Sequence, residues 1–123
     1  MAESIEQLLR LMPMARRMRP SERKWCPAAD VFEIQEGWIV VVDIAGVRPG
    51  EIEVSAEGSV LHVAGTRRDG FCREGISFYQ LEITYSRFEK HIQFPCQIDD
   101  TQIESDYRDG LLVLRLRRSG DCK

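Results

Sequence analysis

Between residues 30 and 64 the apolar side chains recur mostly at intervals of two. Phe32 and Ile34 alternate with Val31, Glu33 and Gln35, and Glu36-Gly37 then turns the chain into Trp38-Ile39-Val40-Val41-Val42. Both faces of that second run are apolar, which predicts a central strand with neighbours on each side. Residues 45–50, with Pro49 and two glycines, predict a loop. Ile52 and Val54 alternate with Glu53 and Ser55, and Glu57-Gly58 turns into Val60-Leu61-His62-Val63-Ala64. Further on, Leu81, Ile83 and Tyr85 read as one strand face, and Phe88, Ile92 and Phe94 as another around Lys90 until Pro95 stops it. Short, closely spaced strands with no long helix predict a two-layer antiparallel β-sandwich over residues 25–117. Its expected core includes Phe32, Ile34, Val40, Val42, Val63, Leu112 and Leu114.

The strongest local signal is Asp109-Gly110, set between the apolar runs of residues 103–116. Both turn positions of a tight hairpin favour positive φ, which Asp and Gly tolerate. The same corner would also serve a chain crossing from one sheet to the other. At the other end the period is helical: Ile5, Leu8, Leu9 and Met12 share one face behind a Ser4/Gln7 capping box, and Pro13 ends the turn. So short a helix is marginal in water. Residues 1–24 are therefore expected to be an arm, partly helical or mobile, ahead of the sandwich at 25–117 and a short tail at 118–123.

Composition narrows the class. The chain has 123 residues, 43% hydrophobic and 30% charged, the profile of one ordinary globular domain. No apolar run nears the ~20 residues needed to span a bilayer. Glu3, Glu6 and Arg10 interrupt the opening segment, so it does not read as a signal peptide and a cytoplasmic location is expected. Residues 1–27 carry a net charge of +3 and the remainder −6. Because no aromatics interleave with the arginines, the basic arm is not expected to bind nucleic acid, and no membrane contact is expected. Cys26, Cys72, Cys96 and Cys122 form no C-x-x-C pair and read as isolated reduced thiols. His62 and His91 stand alone in their strands, so neither a metal site nor a cofactor is expected. No nucleophile elbow or phosphate-cradling Gly-rich loop is present, and the chain does not read as an enzyme.

The order Tyr107-x-Asp109-Gly110-Leu111-Leu112-x-Leu114 resembles the end of the alpha-crystallin domain of small heat-shock proteins. Pro27-x-x-Asp30, Asp43-Ile44-Ala45-Gly46-Val47, Glu51-Ile52-x-Val54 and Leu61-x-Val63-x-Gly65-x-Arg67 precede it in the family's order, so the resemblance covers roughly residues 25–117. It implies an immunoglobulin-like sandwich. Residues 66–77 are too long for a hairpin loop of ~2 to 5 residues, and they resemble the bacterial and plant insertion that carries a strand across to a partner subunit. The resemblance thus implies a homodimer by strand exchange through Phe71, Cys72, Ile76 and Phe78. Lys90 falls where the family has an arginine in subunit pairing, keeping the charge without the bidentate fork.

By the same resemblance the chain is expected to be an ATP-independent holdase that binds unfolded or partly unfolded proteins and keeps them from aggregating under stress. The expected client-binding residues are Ile5, Leu8, Leu9 and Met12 of the arm, and Ile52, Val54, Ile103 and Ser105 along a groove between two strand edges. For Ile52, Val54 and Ile103 plain core packing is the competing reading. The family's Ile-x-Ile tail has no counterpart in Arg118-Ser119-Gly120-Asp121-Cys122-Lys123, so dimers or small oligomers are expected. Two other readings are a CS-domain co-chaperone adaptor docking on a larger chaperone, and a redox sensor using Cys72 or Cys96.

Overall fold

The computed structural model describes residues 25–71, 74–99 and 102–118. The predicted arm with Ile5, Leu8, Leu9 and Met12 lies outside the described residues, as do Cys72 and residues 119–123. Among the described residues seven strands follow one another: β1 (Ala29–Glu33), β2 (Gly37–Asp43), β3 (Glu53–Glu57), β4 (Val60–Thr66), β5 (Arg87–Gln93), β6 (Glu104–Arg108) and β7 (Leu111–Arg117), with a 3₁₀ turn at Pro49–Glu51. They form a four-stranded sheet in the order β1-β2-β7-β6 and a three-stranded sheet in the order β3-β4-β5, with every pairing antiparallel. This is the expected sandwich.

The doubly apolar run is the middle of the larger sheet. β2 pairs with β7 along its whole length, from Gly37 opposite Arg117 to Asp43 opposite Leu111, while β1 takes its other side. Trp38, Val40 and Val42 point into the core with Leu112, Leu114 and Leu116; Leu61, Val63 and Phe88 meet them from the smaller sheet. Each large side chain fully removed from water contributes about 1.5 to 3 kcal/mol. Phe94 lies 4.8 Å from Trp38, ring centre to ring centre, and closes one end of the core.

The Asp109-Gly110 corner is a hairpin, and the crossing alternative does not hold. Arg108 faces Leu111 in the same sheet, and φ is +54° at Asp109 and +81° at Gly110, the signs a type I′ turn requires. The chain changes sheets elsewhere, through residues 44–52 and again through 94–103. The second crossing is tied down where Phe94 N–H donates to Ser59 O (2.8 Å) and Ile98 N–H to Gly58 O (2.9 Å).

Three expectations are corrected. Phe32 and Ile34 are not core: Phe32 is 52% exposed, Ile34 is half-buried and outside the core cluster, and Val31 on the face opposite Phe32 is 46% exposed. β1 is the outer strand of the wider sheet, so the three-stranded layer does not cover it. Leu81, Ile83 and Tyr85 form no strand face, since residues 74–86 run without a ladder to any strand among the described residues and Ile83 is exposed. Nor is Cys96 a reduced thiol: it is bonded in a disulfide, whereas Cys26 is free. The absence of a C-x-x-C pair excludes adjacent cysteines only, because tertiary folding brings distant ones together.

Candidate functional site

Two surfaces carry the expected site residues. The first runs along β3 and β6, the outer strands of their sheets. Ile52, Val54 and Ile103 are half-buried and pack on the core, together with Ala56 and Tyr107. Ser105 is exposed and pairs with Leu114 on the β7 side only. Among the described residues neither outer edge is paired with another strand, which leaves a row of backbone donors and acceptors beside a partly apolar floor.

Tyr107 fastens β6 next to the crossing that leads into β3. Its hydroxyl lies 3.0 Å from Ile44 O and 2.8 Å from Val47 O, able to donate to either. Burial pushes the phenol pKa above its ordinary 10.0, and the Asp43 carboxylate adds to the rise. The folded state therefore favours the neutral phenol. Its stabilisation is complete below about pH 10 and is lost as pH rises through the folded value. Tyr107→Phe should cost about 1 kcal/mol at neutral pH, measured by urea denaturation, and the gap to wild type should narrow above pH 10.

The second surface is the excursion of residues 67–86 between β4 and β5. Phe71 (71% exposed) and Tyr79 (83% exposed) project from it, with Ile76, Phe78 and Ile83 also exposed. Its root is held by one arginine. Arg67 donates from Nε (2.9 Å) and Nη2 (2.7 Å) to Thr84 O and from Nη1 to Ala45 O (3.2 Å), while its guanidinium carbon sits 3.6 Å from the Trp25 ring centre. Arg67 N–H also donates to Ser86 O at 3.0 Å. Gly46, at φ +89°, makes room for this side chain, since a Cβ there would lie 3.2 Å from Arg67 Cδ.

Phe71, Ile76 and Phe78 sit on this excursion, whereas Lys90 is on β5. Its ammonium donates to Pro27 O at 2.9 Å and ties β5 to the segment leading into β1. Pattern reading missed the Arg67–Trp25 clamp and the exposure of Val31 and Phe32. An Arg following a β-run and a Trp just ahead of the first strand were the only available signals. Among the described residues no group of three or more His, Cys, Asp or Glu side chains is placed to hold a metal ion, and no helix is long and apolar enough to cross a membrane.

A profile described as the Hsp20/alpha crystallin family matches residues 30–122. The chain belongs to that family. Among curated members, a 17.7 kDa class II heat shock protein of Arabidopsis thaliana is 32% identical over 101 residues, covering 80% of this chain and 65% of the relative. Spore protein SP21 of Stigmatella aurantiaca is 31% identical over 90 residues, covering 73% and 53%. The chain spans between about half and two thirds of the length of these two relatives. Among solved structures, hspA from Xanthomonas axonopodis superposes with a TM-score of 0.69 at 26% identity, covering 78% of this chain and 96% of that one. Heat shock protein 16.0 from Schizosaccharomyces pombe, at 24% identity and a TM-score of 0.71, shares the fold over 81% of this chain and 92% of its own. Members of the Hsp20 family are ATP-independent chaperones, not enzymes.

Proposed function

We propose that this chain is a cytoplasmic holdase that binds unfolding proteins without ATP and keeps them from aggregating under stress. The observation that carries the reading is the half-buried apolar strip of Ile52, Val54 and Ile103 beside the outer edges of β3 and β6, which are unpaired among the described residues, on an Hsp20 sandwich. A partly unfolded client exposes apolar segments and unpaired strands of its own, and both kinds of group find partners here. Binding holds the client by mass action below the concentration at which it aggregates.

In this reading clients occupy the edges around Ile52, Val54, Ile103 and Ser105 and the arm residues Ile5, Leu8, Leu9 and Met12. The unit that binds them is a homodimer in which residues 70–77 of each chain cross to the exposed β1 edge of the other. Phe71, Cys72 and Ile76 belong to the crossing segment, and Phe78 follows it at the interface. Lys90 supports β1 from within its own chain through Pro27. A docking adaptor for a larger chaperone is less well supported, because the matching family is Hsp20/alpha crystallin and the long excursion has no role in that reading.

The test is light scattering from a heat-labile client warmed with this protein and no nucleotide, in reducing and in oxidising buffer. Suppression at near-equimolar ratios in both buffers is the expected result. Scattering unchanged by excess protein would overturn the holdase reading, and suppression confined to one buffer would favour a redox-controlled binder.

A further inference from the structure

The register of the smaller sheet joins two residues that lie far apart in sequence. His62 on β4 stands directly opposite His91 on β5. Their rings are stacked, with centres 4.4 Å apart and planes inclined by 20°. His91 is exposed and His62 half-buried, and neither imidazole makes a hydrogen bond or ion pair to a described residue. They belong to the outward face of the sheet, since the alternate positions Leu61, Val63 and Phe88 point inward. Ser55 flanks His62 on the side away from His91. Glu53 and Glu89 lie one row along, both in contact with Arg87 (3.3 and 3.5 Å), and Glu57 lies one row the other way.

We propose that His62 and His91 form a two-imidazole chelate for a divalent transition metal ion of the copper or nickel type, with water completing its coordination. As they stand the rings are stacked and nearly parallel, so both turn about their side-chain torsions to aim a nitrogen at one ion, a motion their place on the outward face of the sheet leaves open. Imidazole donors bind the divalent first-row ions with affinity rising through nickel to copper, which favours those two metals. The strand pairing holds the two ligands together before any ion arrives. Three carboxylates against the one guanidinium of Arg87 leave the same face net negative, which favours a cation electrostatically. Two protein ligands suffice for such a chelate, so a larger cluster of donors is not required.

Ni(II) is the probe, because Cu(II) would oxidise the free Cys26 thiol. Calorimetric titration of the full chain should show one ion per chain that depends on both histidines. His62→Thr and His91→Thr keep a strand-favouring residue at each position. Each should weaken that binding roughly tenfold or more, because the second ligand acts at high effective concentration, and the double variant should weaken it little further. The thermal midpoint of wild type should rise with Ni(II) concentration and that of either variant should not, since the chelate exists only in the folded register. Both variants should give the circular dichroism of wild type. Binding and midpoint shifts that survive either substitution, or a wild type that takes up no Ni(II), would overturn the proposal.

Discussion

Gly37→Ala should lower the stability of the sandwich by about 2 to 4 kcal/mol, seen as a fall in the urea midpoint with little change in slope. A Cβ at Gly37 would lie 1.9 Å from Leu116 O, 2.9 Å from Leu116 C and 3.0 Å from Arg117 Cα. All three atoms are backbone of β7, so no rotamer change relieves the clash. β2 and β7 must part at the end where they begin to pair, and Trp38, the next residue, is core. Arg118 adds to the local cost, because it spans the same corner, donating to Ile34 O at 3.2 Å and lying 4.7 Å from the Trp38 ring centre. Gly50→Ala is the control, with nothing within 4 Å of its added methyl, and should stay within ~0.5 kcal/mol of wild type. A Gly37→Ala protein as stable as that control would show that the two strands do not approach each other as described.

Deleting residues 71–76 should convert the proposed dimer to monomers while leaving the sandwich folded. The deletion removes Phe71 and Ile76, exposed in the single chain, each of which contributes about 1.5 to 3 kcal/mol if fully buried against a partner. With two crossing segments in each dimer, the loss of about 6 to 12 kcal/mol raises the dissociation constant by roughly four to nine orders of magnitude, enough to dissociate a micromolar dimer. The root of the excursion is untouched, since Arg67 still has Thr84 O and Ala45 O to bind. Sedimentation velocity reads the association and far-ultraviolet circular dichroism the fold. A deletion variant that still sediments as a dimer would place the interface elsewhere.

What the sequence disclosed follows from the range of the interactions involved. β2 was legible because two apolar faces over five residues leave little choice but a central strand. The Asp109-Gly110 hairpin was legible because its backbone preference is local. Phe32 was misread as core because alternation says that a strand has two faces, not which of them a second layer covers. Leu81, Ile83 and Tyr85 show the reverse failure: the pattern of a strand is present, but pairing needs an edge, and no edge of this chain receives it. His62 and His91 read as solitary because only the β4–β5 register brings them together, and Cys96 escaped for the same reason. The candidate surfaces were half legible. Val54 lies on β3, and Ile52 and Ile103 stand just ahead of β3 and β6, positions that local alternation marks, whereas the clamp of Arg67 on Trp25, Ala45 and Thr84 depends on contacts between distant segments.

The pairing of β2 with β7 governs the order in which the molecule can assemble. The hairpins β1-β2, β3-β4 and β6-β7 join neighbours in sequence and can form within microseconds. Joining Gly37 to Arg117 instead closes nearly the whole sandwich into one loop, so it comes late and sets the pace of folding. On the ribosome the larger sheet stays split until synthesis passes Arg117, and at ~5 to 20 residues per second the β1-β2 hairpin waits several seconds with Trp38, Val40 and Val42 uncovered. During that interval a nascent chain of this protein is itself an aggregation-prone polypeptide.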